Sequence, residues 1–88
     1  MSNIIFLPDG WDEYQSWVIE NDRRILKKIR ELIANISRDG NVGIGKPEPL
    51  IGDLSGWWSR RITDEHRLIY MIDDENIYIA KCRGHYNR

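Results

Sequence analysis

Ile25, Leu26, Ile29, Leu32, Ile33 and Ile36 stand at offsets 0, 1, 4, 7, 8 and 11, a spacing that an α-helix gathers onto one face and a strand would scatter over two. Arg23, Arg24, Lys27, Lys28, Arg30 and Glu31 fall on the opposite, solvated face, and Asp39-Gly40 supplies a stop. The spacing predicts a helix over about 22–38 whose apolar side must be covered by the rest of the chain. Three β-rich runs downstream, residues 57–62, 66–72 and 77–83, can provide that cover. Only short polar separators divide them, which favours antiparallel hairpins. Upstream, residues 3–7 read as a strand stopped by Pro8, and Asp9 as the N-cap of a first helix of about three turns. That helix carries Trp11, Tyr14 and Trp17 near one face. Five glycines and two prolines between Gly40 and Gly56 make the middle of the chain a loop. The order β-α-α-β-β-β predicts an α+β fold, two N-terminal helices packed on a small, mostly antiparallel sheet. At 88 residues it forms one domain, 1–88.

Composition removes several classes of function. With 13 basic and 14 acidic residues the net charge is −1, so binding through bulk positive charge is excluded, although binding through sorted charge is not. The single cysteine, Cys82, forms no intrachain disulfide, and no Cys/His cluster has the spacing of a zinc site, so no metal or cofactor is expected. The longest apolar run near the N-terminus, residues 4–7, is too short for a signal peptide or a membrane span, and the chain reads as cytoplasmic.

Charge is sorted by position in the second half. Asp64, Glu65, Asp73, Asp74 and Glu75 gather in turns, while Arg60, Arg61, Arg67, Lys81 and Arg83 lie in the strands. If the helices cover one sheet face, the other can present these cations to a phosphate backbone; solvated strand faces would produce the same pattern. Arg60 and Arg61 must point to opposite faces, so one of them is structural. Glu48, in Lys46-Pro47-Glu48-Pro49, is either a surface carboxylate or a base held on a stiff loop. His85-Tyr86 after the last strand is either a tail or an imidazole able to donate a proton, beside a ring able to contact phosphate or base. His66, without such a companion, reads as structural. A carboxylate, arginines and a histidine are the groups needed to make the 2′-hydroxyl of RNA attack its neighbouring phosphate.

Longer stretches carry a resemblance. Gly45-Lys46-Pro47-Glu48-Pro49-Leu50, the run from Leu54 through Trp57-Trp58-Ser59-Arg60-Arg61-Ile62 to His66-Arg67-Leu68-Ile69-Tyr70, and Cys82-Arg83-Gly84-His85-Tyr86 resemble the Txe/YoeB family of bacterial toxins. The helix segment Asp22-Arg23-Arg24-Ile25-Leu26-Lys27-Lys28-Ile29 resembles it too. The resemblance implies a RelE-like microbial-ribonuclease fold and a type II toxin that cuts mRNA in the A site of the 70S ribosome without a metal. It also implies Glu48 as general base, Arg67 as the phosphate-stabilising arginine and His85 as general acid. Tyr86, Arg61 and Lys46 would contact substrate. Implied partners are a YefM-like antitoxin, through which alone operator DNA would be bound, and a second copy in a homodimer.

This chain departs from the family pattern at Ile51, where a lysine is frequent, and at Gly84, where a tyrosine commonly precedes His-Tyr. A glycine there predicts a looser tail. Asn87-Arg88 also extend past the usual end. Ile51 and Gly84 also favour a rival from another class, a non-catalytic module that occupies the ribosome and blocks initiation sterically.

Overall fold

A computed structural model describes residues 2–85 of the chain. Strand β1 (Asn3–Phe6) runs into helix α1 (Pro8–Ile19) and then helix α2 (Arg23–Asp39). Strands β2 (Glu48–Pro49), β3 (Trp58–Arg61), β4 (Arg67–Ile72) and β5 (Asn76–Lys81) follow, with a short 3-10 turn over Gly52–Leu54. The five strands form one sheet in the order β1-β5-β4-β3-β2, antiparallel except where β1 lies parallel to β5. The predicted α+β architecture is the one observed, with β4 at the centre of the mixed sheet and the last strand, β5, between β4 and the parallel β1.

The stripe on α2 does what its spacing requires. Ile25, Ile29, Leu32 and Ile36 are buried against Leu68, Tyr70, Ile77 and Ile79 of the sheet, and Leu26 and Ile33 pack at the margin. Full burial of each such side chain is worth about 1.5–3 kcal/mol. Asp22 caps α2, its Oδ1 accepting from Ile25 N at 3.2 Å, and Gly40 ends it.

Two local expectations need correction. Leu7, not Asp9, is the N-cap of α1: Pro8, whose missing N–H costs nothing in a first turn, takes the first helical position. The three rings do not share a face either, because six residues at about 100° each leave Trp17 about 120° round the helix from Trp11. Trp11 and Tyr14 pack on Phe6, at ring distances of 5.6 and 5.2 Å, whereas Trp17 turns to the far side and is buried. Gly10 lets α1 lie directly on β5: a Cβ there would sit 2.5 Å from the carbonyl oxygen of Ile79.

The predicted middle loop contains a strand. Glu48 and Pro49 pair with Ser59 and Trp58, which the alternation of neighbouring prolines concealed. What holds the approach to this strand is Arg60, fully buried on the helix side of the sheet. Its Nη2 donates to the carbonyls of Gly40 and Val42 at 2.6 and 3.3 Å, and its Nη1 to that of Ile44 at 3.0 Å and to Asn35 Oδ1. Its Nε donates to Tyr70 Oη at 3.1 Å. Desolvation raises the Tyr70 hydroxyl pKa, and the neighbouring Arg60 partly counters it. Of Arg60 and Arg61, Arg60 is thus the structural one.

Candidate active site

The sheet face away from α2 carries the open chemistry. Glu48 pairs with Ser59, Ser59 with Ile69, and Arg61 with Arg67, so the alternation of side chains puts all of these on one face. There Glu48, Pro49, Leu50, Ser59, Arg67 and His85 line a cleft of about 190 Å³. Glu48, Arg67 and His85 come from three segments well separated in sequence. Ser59 and Leu50 line the same cleft, and only the strand register reveals them.

Each predicted residue has a definite place. Glu48 is exposed on the edge strand, held at β2 by pairing to Ser59. Arg67 is anchored through Nη1 to the carbonyl oxygens of Thr63, Asp64 and His66 at 2.7, 3.1 and 3.2 Å, so one arm of its fork faces the β3–β4 turn. His85 Nε2 lies 2.9 Å from the carbonyl oxygen of Asp64, and since a carbonyl only accepts, the ring nitrogen donates. Arg61 lies directly opposite Arg67, beyond the cleft lining, with its Nε buried and without a hydrogen-bond partner among the described residues. The register thus sets two like charges opposite each other, an arrangement an anion on this face would relieve. Lys46 is exposed, has a φ of 52°, and does not line the cleft; Tyr86 lies outside the described residues. Ile51 is 59% exposed and also outside it.

The other strand cations do not join this face. Arg60 is buried, Lys81 pairs with Glu13 at 2.8 Å, and Arg83 pairs with Glu20 at 2.7 Å. A bulge shifts the β4–β5 register between Ile69 and Tyr70, and the residues beyond it turn toward α1, whose acidic residues draw these cations. The expected gathering of strand cations on this face is therefore reduced to a pair, Arg61 and Arg67.

The tail is fastened residue by residue. Glu13 Oε1 accepts from the backbone N–H groups of Cys82 and Arg83 at 2.7 and 3.0 Å, while its Oε2 takes the Lys81 ammonium, whose pKa that bond raises. Trp17 Nε1 donates to the carbonyl of Cys82 at 3.0 Å, and the Arg83 guanidinium lies 3.8 Å over the Trp17 ring. Gly84 N–H donates to His66 Nδ1 at 2.9 Å, and Gly84 O accepts from Arg67 N at 3.0 Å. Gly84, expected to loosen the tail, is instead bonded on both sides, its φ of +85° turning the chain back toward Asp64. No short motif could have shown Glu13 as an anchor, since its partners lie about seventy residues away.

Among the described residues, no group of three or more His, Cys, Asp or Glu side chains is arranged to hold a metal ion, and no helix is long and apolar enough to cross a membrane.

Fold and sequence together define a toxin of a bacterial type II toxin-antitoxin system: residues 6–86 match the family model of the YoeB-like toxin of such systems. A Toxin YoeB of Streptomyces coelicolor is 53% identical over 83 residues, 94% of this chain and 98% of that protein. The YoeB dimer from Staphylococcus aureus superposes with a TM-score of 0.89 at 48% identity, over 97% of this chain and 98% of that one. The heterotetrameric YoeB-YefM complex from the same organism gives 0.89 at 47% identity, over 98% and 99%. The chain belongs to the YoeB-like toxin family.

Proposed function

We propose that this toxin is a metal-independent endoribonuclease that enters the ribosomal A site and cuts mRNA there, halting translation. The observation that carries the reading is the convergence of Glu48, Arg67 and His85 on one small open cleft. Glu48 takes the proton of a 2′-hydroxyl, and the freed oxygen bonds to the adjacent phosphorus. The bond from phosphorus to the 5′-oxygen breaks, and the leaving oxygen takes a proton from His85. The products are a 2′,3′-cyclic phosphate and a 5′-hydroxyl, with the proton lost by His85 matched by the one gained at Glu48. Arg67, anchored through one arm, turns the rest of its fork to the phosphoryl oxygens as their charge grows. Arg61 and Lys46 bind the flanking backbone, and Tyr86 contacts substrate.

In this reading the protein works in the cytoplasm and is neutralised by a YefM-like antitoxin, as the S. aureus complex suggests, with operator DNA reached only through that partner. It also forms a homodimer, as its S. aureus relative does.

Primer extension on an mRNA paused on purified 70S ribosomes tests the proposal, with a ribosome-free control and the Glu48→Ala and His85→Ala variants. New 5′ ends at the A-site codon, absent without ribosomes and with either variant, are expected. Arrested initiation with intact mRNA would instead make the protein a steric blocker.

A further inference from the structure

His66 contributes nothing to the cleft lining, yet it sits at the one point where the tail leaves the body of the protein. Its ring meets Trp17 edge-on, with centroids 4.8 Å apart at 78°, and so is fixed in orientation. In that orientation Nδ1 faces the N–H of Gly84 and accepts from it at 2.9 Å. An Nδ1 that accepts leaves the ring proton on Nε2, so the neutral tautomer is defined by this contact. The next residue of the strand, Arg67, donates its own N–H to the carbonyl of the same glycine at 3.0 Å. Gly84 is thus gripped through both backbone groups by two consecutive residues, and its left-handed backbone then delivers His85 to the cleft. A Cβ on Gly84 would meet nothing within 4 Å, so it is the backbone conformation and its two hydrogen bonds, not lack of room, that this position depends on.

We infer that His66 is a positioning residue for catalysis, its Nδ1 acting as the acceptor that seats Gly84 and so aims the His85 imidazole at the leaving oxygen. This rests on the assignment of His85 as general acid. Displacing a reacting group by about 1 Å can cost about 10²-fold in rate, so loss of the acceptor acts on turnover rather than on ribosome binding.

Two variants separate the ring from its acceptor. His66→Phe keeps a ring against Trp17 but leaves Gly84 N–H without its partner; His66→Asn discards the ring and keeps an oxygen acceptor near the position of Nδ1. Single-turnover cleavage is measured on ribosome-bound mRNA with an ordinary 5′-oxygen at the cut site and with sulfur in its place. A thiolate leaves without protonation, so the sulfur substrate bypasses the general acid. His66→Phe is expected to lose about 10²-fold on the oxygen substrate and to cut the sulfur substrate within about threefold of wild type. His66→Asn is expected to retain most activity on both. Equal losses on the two substrates, undiminished oxygen-substrate cleavage by His66→Phe, or a selective oxygen-substrate defect in His66→Asn would each overturn the inference. His85→Ala, run in parallel, separates the two assignments: if it cuts the oxygen substrate at the wild-type rate, the general-acid reading itself has failed.

Discussion

Replacing Arg60 by methionine should destabilise the protein by about 3–5 kcal/mol, because each buried neutral acceptor it leaves unsatisfied costs about 1–3 kcal/mol and part of that sum is offset by no longer burying a guanidinium. Methionine keeps most of the buried volume and removes every donor. The carbonyls of Gly40, Val42 and Ile44 then lose the donor Arg60 gives them, and Asn35 Oδ1 and Tyr70 Oη each lose one of two bonds. Charge-assisted hydrogen bonds contribute about 1.5–3 kcal/mol each, so the five of them would sum to at least about 7.5 kcal/mol if they were additive. Two effects reduce the sum: removing the guanidinium recovers several kcal/mol of desolvation, and Asn35 Oδ1 keeps its bond from Ile44 N at 3.3 Å. At about 4–8 °C per kcal/mol for a domain of this size, the loss lowers Tm by at least about 12 °C. Urea denaturation should show a lower midpoint with an unchanged slope. Arg60→Lys keeps the charge but cannot span the same acceptors, and should fall between the two proteins. A methionine variant within about 0.5 kcal/mol of wild type would refute the reasoning and show that the segment between α2 and β2 is held by other contacts.

Arg67→Ala should slow mRNA cleavage on the ribosome by about 10²–10³-fold at saturating protein, and an unchanged turnover with weaker binding would make it a backbone contact only. Gly10→Ala, which in an ordinary helix gains about 1 kcal/mol, should instead lower Tm, because the new methyl would lie 2.5 Å from the Ile79 carbonyl oxygen; a raised Tm would contradict that close approach. Burial, and secondarily the Glu13 carboxylate, push the Cys82 thiol up to about 12 from 9.0. The unfolded chain therefore loses this proton first as pH rises, so the stability Cys82 contributes is intact below pH 9.0 and declines toward about 12. Melting curves across that interval should show a shallower alkaline decline in Cys82→Ala, and an identical decline in both proteins would exclude the thiol as its source.

Elements whose period matches their burial were readable without coordinates. The α2 stripe is the clearest case, because its apolar spacing and its core are the same residues. The opposite facing of Arg60 and Arg61 followed from strand alternation alone, although the identity of the buried one depended on loop carbonyls that no spacing reports. Strand β2 was hidden because two residues carry no periodicity, and its pairing with Ser59 is decided across the sheet. The candidate site divides in the same way. Glu48, Arg67 and His85 stood out by residue type and by resemblance, whereas Glu13, Trp17 and His66 hold backbone groups of the tail far off in sequence, contacts that no local pattern records. The expected gathering of strand cations failed because α1 offers carboxylates to Lys81 and Arg83 beyond the bulge.

The parallel pairing of β1 with β5 has a consequence for the timing of assembly. Asn3 lies beside Asn76, so the first strand made waits for the last, and closing a span of that length costs about 4 kcal/mol in chain entropy before the pairing gives anything back. Sequence-distant contacts of this kind slow folding, and here they also order it. A growing polypeptide can form α2 early, but it has no neighbour for β1 and no floor for α1 until residue 76 and those after it are free. The tail seat, which needs Glu13, Trp17 and His66 already in place, closes later still. An interrupted product of synthesis therefore lacks either the β1–β5 side of the sheet or the finished cleft.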